Sequence, residues 1–174
     1  MIHKSILVAA LLAASAFTPA QAQGSGPSDP QIAHIAYTAG VIDIAAAELA
    51  LKKSTNATVR SFAQEMVRDH KAVNVMALDL VKKLKVTPAD NPTSKALSKQ
   101  ADADKRRLAA LKGAAFDRAY LANEVAYHKA VNGALDKTLI PSSHNAELKS
   151  LLQTGLKLFS EHQAHAQHLA AELK

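Results

Sequence analysis

The chain has 174 residues, a formal net charge of +6 and no cysteine. The missing thiol excludes disulfides, thiolate metal sites, cysteine nucleophiles, covalent haem attachment and a lipidated cysteine. Aromatic residues make up only 4% of the chain. Its densest basic cluster, Lys105-Arg106-Arg107, has no aromatic residues interleaved with it, so nucleic acid is not an expected partner.

The first residues, Met1-Ile2-His3-Lys4, carry a positive charge and lead into an apolar run from Ile6 to Phe17 that is too short to cross a bilayer as a helix. Thr18-Pro19 breaks the run, and Ala20-Gln21-Ala22 has the small-x-small pattern that a signal peptidase cuts after. Residues 1–22 are therefore expected to be a signal peptide, and the product to be periplasmic or secreted. No later segment is read as transmembrane. Gln23 to Pro30 reads as a flexible tether rich in Gly, Ser and Pro, and residues 31–174 as a single helical domain.

Alanine and leucine dominate after the tether, and Gly and Pro gather at boundaries, which is helix composition. The first helix is predicted from about Pro30 to Lys53, capped by Asp29, with the stripe Ile32, Ile35, Ala39, Ile42, Ala46, Leu49. Asn56 suits the N-cap of a second helix, Ala57 to Lys85, whose stripe runs Val59, Phe62, Ala63, Met66, His70, Val73, Ala77, Leu80. Pro88 and Pro92 mark a loop. A shorter polar helix from Ser94 to Leu111 is expected on the surface, stopped by Gly113. A third long helix is predicted over Ala114–Leu139 and a fourth over His144–Leu173, divided by Pro141-Ser142-Ser143. Short loops within the two long pairs predict an all-α, antiparallel four-helix bundle with an extra shorter helix in the central connection.

Ionisable residues interrupt the apolar faces, and burying such groups is costly unless they are paired. His70 is central on the second helix. Asp117, Glu124 and His128 share the inward arc of the third, and His162 is central on the fourth. Asp43 lies toward the edge of the first helix's stripe. Counted from the connections, Asp43 and His70 should face each other, Glu124 and His162 should lie near one level, and His128 about one turn away. Three readings follow. His70, His128 and His162, with Asp43, Asp117 and Glu124, can bind a divalent metal ion. They can instead form a hydrogen-bonded network that fixes helix register, in which case carboxylate pairing should raise the histidine pKa values above about 6.5. Or some of them reach solvent at a loose seam. His168 projects outward and, with His165 and Glu161, makes at most a weak surface site, while His34, His144 and Glu48 carry no assigned role.

The spacing does not reproduce a di-iron centre of Glu-x-x-His type. The chain has Glu-x-x-x-His, at Glu124/His128 and Glu161/His165. No Gly-rich phosphate loop or Gly-x-Ser-x-Gly elbow occurs, and no catalytic residue is assigned.

Leu49-Ala50, Val59, Phe62-Ala63, Met66-Val67 and Asp69-His70 together resemble the second-helix signature of the bacterial "domain of unknown function 4142" family. Leu111-Lys112-Gly113-Ala114-Ala115-Phe116-Asp117-Arg118-Ala119-Tyr120 resembles that family's L-x-G-x-x-F-D-x-x-Y stretch, and His128 and His162 fall where the family carries its later histidines. The resemblance runs from about Asp29 to Leu173. It implies a ferritin-like four-helix fold and export, with no established activity; where this chain has Asp43 the family usually has glutamate. The functional expectation is an exported envelope protein holding a divalent metal in its bundle. A purely structural or stress-related periplasmic protein without ligand and a metal-dependent oxidase are the alternatives.

Overall fold

The computed structural model describes residues 26–173. The expected signal peptide, residues 1–22, lies outside the described residues. Every regular element among the described residues is helical: α1 (Asp29–Lys53), α2 (Ala57–Lys83), α3 (Pro92–Ala109), α4 (Gly113–Ala134), a π-helical turn (Leu135–Leu139), α5 (Ile140–Ser142) and α6 (Ala146–Glu172).

Asp29 and Pro30, expected to end the tether, already belong to α1, and residues 23–25 of that expected tether lie outside the described residues. The N-cap of α1 is Ser28, whose N–H donates to Gln31 Oε1 at 2.9 Å. Asp29, expected as that cap, accepts instead from the backbone N–H groups of His144 (2.9 Å) and Asn145 (2.8 Å), tying the start of α1 to the approach to α6. Asn56, Asn91 and Asn145 cap α2, α3 and α6, their side-chain oxygens accepting first-turn N–H groups. Near the end of α4 the chain widens into a π turn, where Ile140 N–H reaches back to Leu135. Pro141 follows directly; it brings no N–H, and its ring crowds the carbonyl four residues back.

The helices pack as a bundle. α1 lies along α2 and α4 along α6; α2 also meets α6, and α3 rests on α1 and α4. Two apolar layers fill the interior. One contains Val59, Phe62 and Met66 of α2, Phe116, Tyr120 and Leu121 of α4, Ala47 and Ala50 of α1, and Ala166 and Leu169 of α6. The other is built on Ile32, Ile35, Leu135, Leu139, Leu148, Leu152 and Phe159. Each fully buried large side chain contributes roughly 1.5–3 kcal/mol. α1 is long and apolar enough to cross a membrane by length and composition, contrary to the reading that no later segment is. In the fold it packs along α2 and carries a buried carboxylate, Asp43.

A groove of about 1070 Å³ runs along α1, α3 and α4 and is lined also by Val73 and Ala77 of α2 and Leu152 and Phe159 of α6. Alanines such as Ala39, Ala46, Ala126 and Ala130 line it, and their short side chains leave the space between these helices unfilled.

Candidate metal centre

On each of the four long helices, a polar residue stands between the two apolar layers. On α1 it is Asp43, between Ile35 and Ala47; on α2 it is His70, following Met66. On α4 they are Glu124 and His128, between Leu121 and Leu135; on α6 it is His162, between Phe159 and Ala166. All five are buried.

The three imidazoles converge. Ring centroids lie 5.6 Å apart for His70 and His128, 5.4 Å for His70 and His162, and 5.5 Å for His128 and His162. One ligating nitrogen from each falls within 4.8 Å of the others. Asp43 Oδ2 approaches His70 Nε2 at 3.5 Å and His128 Nε2 at 3.4 Å, and Glu124 Oε2 lies 3.7 Å from His128 Nδ1. The carboxylates thus come from α1 and α4 and the histidines from α2, α4 and α6. Asp117 does not join them. It shares a helix face with Glu124 but stands seven residues earlier, roughly 10 Å along the axis, beside Phe116 in the apolar layer. The level set by the α1–α2 connection holds for Asp43 and His70. His128 and His162 share that level, making one cluster.

Neighbouring groups fix the rings. His128 Nδ1–H donates to the Glu124 backbone carbonyl at 3.0 Å, which leaves Nε2 bare and turned toward Asp43. His162 Nε2–H donates to Asp69 Oδ2 at 3.1 Å, leaving Nδ1 bare. Phe159 stacks on His70 with centroids 4.6 Å apart and planes 7° from parallel. A hydrogen bond from a ligand imidazole's second nitrogen to a carbonyl or carboxylate is the arrangement that orients histidines in metal sites.

Eight buried atoms in this layer have no hydrogen-bond partner among the described residues: both oxygens of Asp43 and of Glu124, both nitrogens of His70, His128 Nε2 and His162 Nδ1. The 3.4–3.5 Å contacts to Asp43 are too long to be hydrogen bonds. At roughly 1–3 kcal/mol for each orphaned group, the deficit is on the order of 10 kcal/mol, as large as the whole stability of a domain. Structural zinc sites return about 10–16 kcal/mol, the same size.

Burial controls the charge of these groups. It pushes the Asp43 carboxyl up to about 8, and raises Glu124 well above the ordinary carboxylate range, with Asp43 adding to the rise. His70 falls to about 3, through burial first and then the neighbouring His128 and His162. His128 falls to about 4 through burial, against its bond to the Glu124 carbonyl, and His162 is lowered by burial against Asp69. The expectation that carboxylate pairing raises the histidines is therefore wrong, because desolvation outweighs the 3.4–3.7 Å contacts of His70 and His128 and also the 3.1 Å bond of His162 to Asp69. Bare imidazole nitrogens facing carboxylate oxygens repel unless a proton or a cation lies between them. This donor set suits a borderline divalent cation.

The chain matches the family described as "Domain of unknown function (DUF4142)" over residues 13–169. It belongs to that family. His70, His128 and His162, the histidines that carry the resemblance, lie within the matched residues and are the three rings that meet between the apolar layers. No curated protein and no solved structure matches the chain.

Sequence reasoning missed Glu65 and gave Asp69 no role of its own. Glu65 and Asp69 are four residues apart on the edge of α2 that faces His162 and His165, and that spacing was the available signal. His165 pairs with Glu65 at 3.0 Å rather than with Glu161, and His168 pairs with Glu172 at the surface.

Proposed function

We propose that this chain is an exported envelope protein, carried out by the signal peptide Met1–Ala22, that holds a divalent transition-metal ion at the centre of a ferritin-like, antiparallel four-helix bundle. His70, His128 and His162 are the nitrogen ligands, Asp43 is a carboxylate ligand, and Glu124 is the second carboxylate of the site. The observation that carries this reading is the convergence of bare imidazole nitrogens and carboxylate oxygens in a dry layer, without hydrogen-bond partners among the described residues. Zinc, iron(II), manganese(II) and copper(II) are the ions this donor chemistry suits, and the exclusion of thiolates removes soft-metal preference.

One observation favours a second reading, a register-fixing network without ligand. Burial holds the Asp43 carboxyl protonated to about pH 8, so it has a proton to place between the two imidazoles it approaches.

Elemental analysis of untagged protein purified from the periplasm separates the two. Stoichiometric metal, lost in His70→Ala, is the expected result. Metal-free protein whose Tm ignores added zinc, iron, manganese and copper would leave the network reading. Oxygen uptake by the loaded protein then distinguishes a metal-dependent oxidase from a binder.

A further inference from the structure

A hydrated cation needs a polar way into this layer, and the charged residues that line the large groove, Asp102, Asp104, Lys105 and Arg107, are all on α3, which gives no residue to the layer. The groove is lined mostly by alanine and other apolar groups, and Phe159 on its wall stacks against His70. Tyr127, also on the wall, uses its hydroxyl to donate to the Ala39 carbonyl at 2.8 Å.

The seam between α2 and α6 is different. Two carboxylate–imidazole rungs cross it, Glu65 to His165 at 3.0 Å and Asp69 to His162 at 3.1 Å. Side-chain exposure falls step by step along the ladder: 41% for His165, 30% for Glu65, 16% for Asp69 and 1% for His162. Glu65, Asp69 and His162 each present one ligand atom within 4.8 Å of the other two. His162 belongs to both clusters, its Nε2 on Asp69 and its unpartnered, buried Nδ1 left for the central layer. Phe62 stands edge-on to the His165 ring, centroids 5.2 Å apart, which holds the outer imidazole against the seam. A positive charge already sits there. Arg68 grips Asp69 with two hydrogen bonds, Nε to Oδ1 at 2.6 Å and a terminal nitrogen to Oδ2 at 3.0 Å, from a largely exposed position.

We propose that Glu65, Asp69 and His162, with His165 beside them, form a second, half-exposed divalent-cation site that loads the buried centre. The inference rests on the metal reading above. A cation is captured by Glu65 and His165, displaces the Arg68 guanidinium from Asp69, and takes the place of the His162 Nε2 proton, which moves to Nδ1; as the cation passes inward the proton returns to Nε2 on Asp69 and Nδ1 is bare again toward the central layer. Arg68 is the stand-in charge that keeps the two carboxylates from repelling each other when no cation is there.

Stopped-flow loading of the metal-free protein with cobalt(II), followed by its visible d–d absorption, tests this. Glu65→Gln and His165→Ala should load about tenfold or more slowly, as expected when charge that raises a local cation concentration is removed, yet reach the wild-type final absorbance and stoichiometry. Arg68→Ala should load faster, because nothing competes for Asp69. Glu48→Gln, on the outer side of α1, should load at the wild-type rate. Loading of Glu65→Gln and His165→Ala within twofold of wild type would overturn the proposal. So would a loss of final stoichiometry in Glu65→Gln, which would make Glu65 part of the centre itself. Wild-type protein that takes up no cobalt would instead remove the centre, and the loading site with it.

Discussion

The apolar layer around Phe62 and Tyr120 and the polar layer around His70 and His128 are neighbours along the same four helices, yet they are finished differently. In the first, aromatic and aliphatic side chains fill the space, with Phe62 meeting Tyr120 at 6.2 Å and Phe116 stacking on Tyr120 at 6.1 Å, and among the described residues only the Tyr120 hydroxyl and Asp117 Oδ1 there are buried without a partner. In the second, five ionisable groups are equally dry but are left with bare donors and acceptors. Packing explains why the first layer is there. It does not explain the second, which costs stability unless a proton or a cation completes it. Substitutions in the two layers should therefore move stability in opposite directions, and only one layer should control metal.

The largest expected effect is in the apolar layer. Phe62→Ala should lower unfolding stability by about 3–5 kcal/mol, read by urea denaturation, while the variant that remains folded still takes up metal. Glu124→Leu should do the reverse. It removes a fully buried carboxyl with both oxygens orphaned, so metal-free stability should rise by about 1–3 kcal/mol while metal affinity falls. A destabilised metal-free Glu124→Leu would show that the polar layer is a satisfied network.

The pH dependence of the metal-free protein sharpens the contrast. His70 and His128 have folded pKa values of about 3 and 4, below the unfolded value, so their contribution is full above about pH 6.5 and is lost as pH falls toward those values. Asp43 and Glu124 are raised, so theirs is full below the unfolded value near 4 and is lost as pH rises, for Asp43 through about 8. With three lowered histidines against two raised carboxyls, stability should climb to a maximum near pH 6.5. Above it, stability should decline by up to about 1.4 kcal/mol per pH unit for each carboxyl still protonated only in the folded state. Bound metal replaces those protons and should abolish the decline. Equilibrium denaturation from pH 5 to 9, with and without zinc, reads both limbs; a metal-free protein that gains stability from pH 6.5 to 8 would contradict the assignment. The smallest effect lies outside both layers. Asn145→Ala removes the cap on the first turn of α6 and should cost about 1 kcal/mol without altering metal content.

Much of this was legible in the sequence, for identifiable reasons. Asn56 fixes where α2 starts, and counting outward from it puts Asp43 opposite His70. The apolar stripes show that His70 and His162 face inward. Projection on a helix gives a face but not a depth, which is how Asp117 came to be grouped with Glu124 although two turns separate them. The histidine pKa direction was misjudged because a sequence shows which charges are near but not how dry the site is. The Glu65–His165 rung was hidden because it depends on how α2 and α6 are rotated against each other, and neither residue lies on an apolar stripe. The π turn before Pro141 is a local response to a proline that could equally have ended the helix.

X-ray absorption of the zinc-loaded protein tests the central claim most directly. The account predicts a first shell of nitrogen and oxygen at about 2.0–2.1 Å with the outer-shell scattering of three imidazoles, reduced by one ring in His128→Ala. An all-oxygen shell, or zinc that washes away on gel filtration, would contradict it.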